Sequence, residues 1–307
     1  MAAFAKKYYR SLEPLVQPAA HPRPLNWAAL FGRRAPLELE IGFGNGEYLH
    51  RESLRRPERD HVGVEVAWGS AKRALRRLAA PPRPNVKIIL AKAQTALERF
   101  FAPESLAVCR ALFPIPWPDE RQAARRLSQR GFLDLAAARL APDGLFLMVT
   151  DSPHLAEWTL AQAEGSALAL TLAERPAELD TKYERKWRGG GRRVFYHLTG
   201  GKTRRPELPA PEETAMQAYY RDELDPGAYR PQGAATEGLV VRFKEFIYDS
   251  GRGEGLVRAL VVEGHLTQDF FIRLRREPDG RWKISPAAPG QLFPTQGVAR
   301  ALELAAG

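Results

Sequence analysis

A chain of 307 residues, 44% of them hydrophobic, is long enough for one large or two ordinary packed domains. Its 46 basic against 36 acidic residues leave a net charge of +10, which points to a polyanion such as nucleic acid before an acidic small molecule. No run reaches the ~18 apolar residues of a membrane span, Met1 to Arg10 lack the apolar centre of a secretory signal, and a lone cysteine forms no intramolecular disulfide, so the expected location is the cytoplasm with no membrane partner.

The first predicted strand is Leu37–Ile41, closed by Glu40-Ile41-Gly42-Phe43-Gly44-Asn45-Gly46. Glycines at alternate positions leave room for a ligand against bare backbone, and the chain then enters a helix whose N-terminal amides face the same cleft. Glu47 occupies the place where G-x-G-x-x-G requires its last glycine, which disfavours nicotinamide and flavin cofactors. The pattern left is the (D/E)-x-G-x-G-x-G turn of methyltransferases that use S-adenosylmethionine; a plain tight connection is the alternative. A second buried strand, His61–Val66, places Glu65 21 residues after Gly44, near the ~20-residue spacing at which a carboxylate meets ribose hydroxyls.

Ser70–Leu78 reads as a basic amphipathic helix, followed by strands Val86–Ala91 and Leu106–Phe113. Cys109 lies among Leu106, Ala107, Val108 and Leu112 and reads as a small buried hydrophobe. Asp119, with Gln122 three residues on, predicts a capped helix extending toward Leu140, which would align Arg121, Arg125, Arg126 and Arg130 in one stretch. Pro142-Asp143-Gly144 turns into strand Leu145–Thr150, and Arg193–Leu198 is the last strand of the region. Arg185, Lys186, Arg188, Arg192 and Arg193 surround a triple-glycine loop. Both basic clusters are candidates for nucleic-acid phosphates, with evenly solvated charge as the bland alternative.

Alternating strands and helices predict an α/β layered domain over residues 1–200. Residues 201–211 read as a linker, and 212–307 as a small α+β module, with antiparallel strands Leu239–Tyr248, Gly255–Glu263 and Thr267–Arg275, a Pro278-Asp279-Gly280 hairpin before Trp282–Ser285, and a closing helix Val298–Ala305. No internal repeat is visible, and the six scattered histidines show no metal-ligand spacing, so no metal is expected.

Phe113-Pro114-Ile115-Pro116-Trp117-Pro118, Val149-Thr150-Asp151 and Thr181-Lys182-Tyr183-Glu184-Arg185 follow the glycine loop at the spacings of one family. Over about residues 30–200 the chain resembles the bacterial tRNA (guanine-N7)-methyltransferases. The resemblance implies a class I, Rossmann-like methyltransferase domain with a seven-stranded sheet, here with a C-terminal extension. It also implies S-adenosylmethionine as cofactor, tRNA as partner, and N7 of the variable-loop guanosine at tRNA position 46 as target. By it, Glu40, Gly42, Gly44, Gly46 and Glu65 hold the cofactor, together with Lys92, which stands where the family has an adenine-contacting Asp. Asp151, Thr181, Lys182, Tyr183 and Glu184 meet the guanosine, with Asp119, at a family Lys position, as a further acceptor. Arg121, Arg125, Arg126, Arg130, Arg185 and Arg188 are the candidates for tRNA phosphates.

Read as ordinary structure, Asp151 is a helix N-cap, Glu184 pairs with Arg188, and Trp117 and Tyr183 are core aromatics instead of stacking platforms. Ile115 occupies the position of the family's Phe-Pro-Asp-Pro-Trp carboxylate, which is regarded as catalytic, so no catalytic residue is assigned. A non-catalytic tRNA-binding protein built on a degenerated methyltransferase domain is the competing expectation, and a small-molecule methyltransferase is a third. Monomer and homodimer are equally compatible with the sequence.

Overall fold

The computed structural model describes residues 11–79, 82–191 and 194–307. They form two compact units, one of residues up to 18 with 22–209, the other of 210–307 with 19–21. Among the described residues no helix is long and apolar enough to cross a membrane.

The first unit is built on seven strands: β1 Leu37–Ile41, β2 Asp60–Glu65, β3 Val86–Leu90, β4 Leu106–Leu112, β5 Leu140–Thr150, β6 Leu168–Arg175 and β7 Phe195–Lys202. They are ordered β3-β2-β1-β4-β5-β7-β6, the first five parallel and β7 antiparallel between β5 and β6. The connecting helices are α1 Trp27–Phe31, α2 Glu47–Arg55, α3 Trp68–Leu78, α4 Ala93–Arg99, α5 Arg130–Arg139, α6 Pro153–Glu164 and α7 Lys182–Gly189. This is the class I methyltransferase sheet.

Helices cover both faces of the central strands, so β1 is buried at all five positions despite its two glutamates. Glu38 is tolerated there because Arg59 (2.7 Å) and Arg110 (2.5 Å) neutralise it. α3 buries Ala71, Ala74, Leu75 and Leu78 and turns Lys72, Arg73, Arg76 and Arg77 to solvent. Strand order reverses between β1 and β4, which opens a crevice at their C-terminal ends. The glycine loop follows β1, and the Phe113–Pro118 loop follows β4, so topology alone brings both to that crevice.

Four features differ from the sequence expectations. The helix expected from Asp119 toward Leu140 is two elements, a 3-10 turn at Glu120–Arg125 and then α5. The chain is extended at Arg126 (ψ 135°) because the Arg126 side chain turns inward, and Gln129 restarts the helix while its Nε2 donates to the Ala123 carbonyl at 2.6 Å. β5 begins at Leu140 instead of Leu145, because the expected turn at Asp143–Gly144 is taken up within the strand, where a Cβ on Gly144 would lie 2.7 Å from the Leu106 carbonyl. β6 was not anticipated, being an edge strand with most of its residues at least partly exposed. The expected strand Arg193–Leu198 starts outside the described residues, as do Arg192, Arg193 and Met1–Arg10. β7 continues through Lys202, whose ammonium pairs with Glu104 and donates to the Leu140 carbonyl, so the first two residues of the expected linker lie in a strand.

The second unit is an antiparallel six-stranded sheet, β8 Tyr219–Arg221, β9 Ala234–Thr236, β10 Leu239–Asp249, β11 Glu254–Glu263, β12 Leu266–Arg276 and β13 Trp282–Pro286, ordered β8-β13-β12-β11-β10-β9. Strict alternation along β12 sends Phe270, Ile272 and Leu274 to the core and Thr267, Asp269 and Phe271 outward. Helix α8, Gln296–Ala306, closes that core with Val298, Ala301, Leu302 and Ala305.

Candidate active site

All three glycines of the loop after β1 have left-handed backbones, with φ of +70° at Gly42, +56° at Gly44 and +70° at Gly46. Gly46 is required twice over, since a Cβ there would lie 2.6 Å from the Ala74 Cβ of α3. The Gly44 amide donates to Glu65 Oε2 at 3.0 Å, while Oε1 accepts from the amides of Val66 (2.9 Å) and Ala67 (3.1 Å). The Glu65 carboxylate is thereby fixed at the end of β2 against the glycine loop.

Two cavities share walls at Gly42, Gly44, Ser70, Leu112, Phe113 and Tyr183. The larger, about 480 Å3, is bordered by Glu65, Val66, Lys92, Ile115, Trp117 and Arg125. The smaller, about 220 Å3, is bordered by Glu40, Asn45, Tyr48, Arg73, Thr181 and Lys182. Glu40 is 3% exposed, and its Oε2 has no hydrogen-bond partner among the described residues. Burial pushes its carboxyl up to about 8, against the opposing pull of the Arg110 guanidinium. A buried acid without a partner beside a cavity is a candidate site, and its ionised form suits a cationic group.

The Phe113–Pro118 loop is strained and braced. Phe113 (φ +54°) and Trp117 (φ +44°) occupy the left-handed region without being glycine. Phe113 stacks on Tyr183 at 5.8 Å and meets Phe195 edge-on at 5.7 Å. Arg126, 1% exposed, donates to the Trp117 carbonyl through Nε (3.2 Å) and Nη2 (3.1 Å), pairs with Glu120 at 2.7 Å, and lies 5.0 Å from the Trp158 ring. Arg125 instead lies over the Trp117 ring at 5.0 Å on the cavity side. Ile115 is 64% exposed at the cavity edge.

Residues 34–197 match a family model described as a methyltransferase, Methyltransf_4. A tRNA (guanine-N(7)-)-methyltransferase of Thermus thermophilus is 35% identical over 274 residues, 87% of each chain, and that of Thermotoga maritima 35% over 282 residues, 88% of each. The Bordetella pertussis enzyme of the same name is 40% identical over 153 residues, 50% of this chain and 60% of that one. The chain belongs to the tRNA (guanine-N7)-methyltransferase family.

In this methyltransferase the structure brings Glu40, Gly42, Gly44, Glu65 and Lys92 to the walls of the two cavities, with Gly46 closing the loop behind them on α3. Thr181, Lys182 and Tyr183 face the smaller cavity. Glu184 does not reach it with a free carboxylate. Its Oε1 accepts from the amides of Glu178 (3.2 Å) and Leu179 (3.1 Å), its Oε2 from Thr181 (2.8 Å), and Thr181 Oγ1 accepts from the Glu184 amide (3.1 Å). This capping box makes Glu184, 1% exposed, the internal brace of the loop. The alternative reading of Glu184 as a surface partner of Arg188 fails on the same observation. Asp151 is not the cap of α6 either, since Ser152 caps it by accepting from the Leu155 amide at 3.2 Å. Half-buried Asp151 makes no hydrogen bond or ion pair among the described residues.

The expected phosphate contacts divide. Arg126 is corrected, because a fully buried guanidinium satisfied by a carbonyl and a carboxylate is closed to RNA. Arg130 is exposed and its guanidinium lies against Gly165, just past the end of α6. Arg185 is engaged with Glu47 at 2.6 Å and with Asp180. Arg121 is exposed and paired with Asp119 at 2.7 Å, and this pairing holds the Asp119 carboxyl below its ordinary range. Arg125 and Arg188 are exposed without ion pairs among the described residues. The sequence reading overlooked Arg51 and Arg110. Nothing in their sequence neighbourhood marks them, because their partners lie more than 70 residues away.

Proposed function

We propose that the protein transfers a methyl group from S-adenosylmethionine to N7 of the variable-loop guanosine, position 46, of tRNA. The observation that carries this reading is the pair of joined cavities between the glycine loop and the Phe113–Pro118 and Thr181–Tyr183 loops, in a chain 35% identical to tRNA (guanine-N(7)-)-methyltransferases over 87% of its length.

The residues present fit the cofactor. Unpartnered Glu40 Oε2 is matched to an ammonium, and Glu65, having accepted three amides, keeps one acceptor position on Oε2 for a ribose hydroxyl. Val66, Ala93 and Ile115 offer an apolar wall to a purine. When bound, S-adenosylmethionine supplies a methyl group activated by a positively charged sulfur, which guanine N7 meets with a free lone pair.

Because N7 carries no proton, the protein needs no general base, and its task is orientation, worth up to ~7–11 kcal/mol when reacting atoms are well aligned. Tyr183, 46% exposed and stacked on Phe113, offers a face to the extruded base. Of the carboxylates beside the Phe113–Pro118 loop, Asp151, which follows β5 and lines neither cavity itself, is the one left to accept from guanine N1–H and N2–H. Asp119 is spent on Arg121, and Glu120 on Arg126 and His154, whereas Asp151 is free of protein partners among the described residues. Ile115 accepts neither bond, and an orienting contact of this kind is worth about 1–3 kcal/mol, which slows transfer without abolishing it.

Radiolabelled methyl transfer into unmodified tRNA transcript, followed by borohydride and aniline cleavage at N7-methylguanosine, tests the reading. The expected result is one cut in the variable loop. Tight tRNA binding without transfer would instead identify a non-catalytic tRNA-binding protein.

A further inference from the structure

The segment that presents Thr181, Lys182 and Tyr183 to the smaller cavity is fastened to α2, the helix that begins one residue after Gly46. Two arginines make the fastening. Arg51 of α2 donates to the carbonyls of Leu179 and Asp180, the latter at 3.1 Å, and lies 3.6 Å from the Asp180 carboxylate. In the opposite direction, Arg185 of α7 donates to Glu47 Oε1 at 2.6 Å and to the Asp180 carbonyl at 2.5 Å. Asp180, the residue held by both, has φ +44°, a conformation that a non-glycine residue keeps only when its surroundings impose it. Without these bonds the segment would keep its internal shape through the Glu184 capping box, and its place only through non-directional packing, of Leu179 and Trp187 on the cluster that contains Tyr48 of α2 and of Tyr183 on Phe113.

We infer that Arg51 and the Arg185–Glu47 pair are positioning residues that lock the loop carrying Thr181–Tyr183 to the cofactor-binding glycine loop, so that filling one cavity orders the wall of the other. Glu47 directly follows Gly46. Whatever fixes the glycine loop therefore fixes Glu47, and through it Arg185 and the strained turn at Asp180. The inference rests on the proposed function only in taking that loop as the base-binding one.

The arrangement separates two roles for Arg185. If Arg185 served only as a phosphate contact, Glu47→Gln would release it and remove a nearby negative charge, and tRNA would bind as well or better. If Arg185 is a positioning residue, the same substitution loosens the loop and lowers turnover.

The first experiment needs no RNA. Hydrogen exchange of the backbone over residues 178–187 is followed in the full chain with and without S-adenosylhomocysteine. Wild type should slow on adding the nucleoside, while Glu47→Gln and Arg51→Met should exchange about tenfold faster and respond little to it. Wild-type exchange indifferent to S-adenosylhomocysteine, or variants that match wild type, would overturn the lock. Where the wild type methylates tRNA, Glu47→Gln should lower kcat about tenfold with the KM for S-adenosylmethionine within about twofold, and Arg51→Lys should recover part of what Arg51→Met loses. An unchanged kcat with a lower KM for tRNA would return Arg185 to phosphate binding alone. Absence of methyl transfer by wild type would sink the proposed function, yet leave the exchange result to decide the lock by itself.

Discussion

The two units of this chain are built to different standards of strain and charge. Residues 1–209 carry 34 basic against 22 acidic side chains, whereas residues 210–307 carry 12 against 14, so the whole positive excess lies with the methyltransferase sheet. Every non-glycine residue with positive φ among the described residues, Glu104, Phe113, Trp117 and Asp180, is also in the first unit; in the second, positive φ is confined to glycines at turns and termini. Buried polar groups show the same contrast. Tyr229, in the second unit, is buried with its hydroxyl donating to the Ala305 carbonyl at 2.8 Å, while Glu40 is buried with an oxygen left over. The second unit is not free of such exceptions, since Arg273 Nε is buried there without a partner among the described residues, but its backbone is unstrained, whereas three of the four strained residues of the first unit or their neighbours touch the cavities.

The largest expected effect compares two glycines with the same backbone. Gly46 and Gly238 have φ of +70° and +79°, but a Cβ at Gly46 would strike Ala74 at 2.6 Å, and at Gly238 nothing lies within 4 Å. Gly238→Ala should cost about 1 kcal/mol, the backbone penalty alone. Gly46→Ala should add about 1–3 kcal/mol of overpacking against α3 and displace the loop that lines both cavities. Its S-adenosylmethionine binding should be lost at temperatures where the chain is still folded. Equal unfolding midpoints for the two variants, with binding retained in both, would remove the packing argument for Gly46.

Glu40 sharpens the comparison through pH. Its carboxyl is raised to about 8 from 4.5, so the folded chain keeps a proton that the unfolded chain releases above about pH 4.5. The stability from this group is therefore complete below pH 4.5 and is lost progressively as pH rises through 8. Glu40→Gln should abolish that loss and be the more stable chain at pH 9. Binding of S-adenosylmethionine should move the other way, because a cationic amino group selects the carboxylate. Wild-type affinity should rise toward pH 8, and Glu40→Gln should bind about tenfold more weakly, a difference of about 1.4 kcal/mol, with that rise removed. Calorimetric titrations at pH 6 and 8 check this, and an equal pH dependence in both proteins would exclude Glu40 as the receptor.

What could be read from the residues alone follows from how locally each feature is encoded. β1, β2 and β4 are legible as short, mostly apolar runs bounded by turns, the central antiparallel strands of the second unit because one-sided burial imposes a period of two on them, and the glycine loop because its backbone excludes other residues. Glu65 is legible from spacing, since one turn of chain and one helix separate it from Gly44. The edge strand β6 has no such period, and the break at Arg126 depends on a carbonyl nine residues earlier and on Trp158. Glu184 shows the subtler failure. Its motif was read as contacting the base, whereas its oxygens are filled by amides of its own loop, which becomes apparent only once the turn at 178–181 is folded.

Arg125 and Arg126 bring the comparison to adjacent residues, and their separation is the smallest effect that still decides something. Arg126→Met leaves the Trp117 carbonyl without its donors and the strained Phe113–Pro118 loop without its brace, at a cost of about 1–3 kcal/mol in stability. Its methyl transfer should fall with kcat, because the loop that borders the larger cavity is displaced. Arg125→Ala breaks no ion pair and removes one exposed cation over the Trp117 ring, so the unfolding midpoint should stay within about 0.5 kcal/mol of wild type. Its signature is in the salt dependence of tRNA binding, where one phosphate contact fewer lowers the slope of log K against log salt by about 0.7–0.9. If Arg125→Ala left that slope unchanged while Arg126→Met reduced it, the guanidinium that reaches RNA would not be the exposed one, and the division drawn between brace and contact would be wrong.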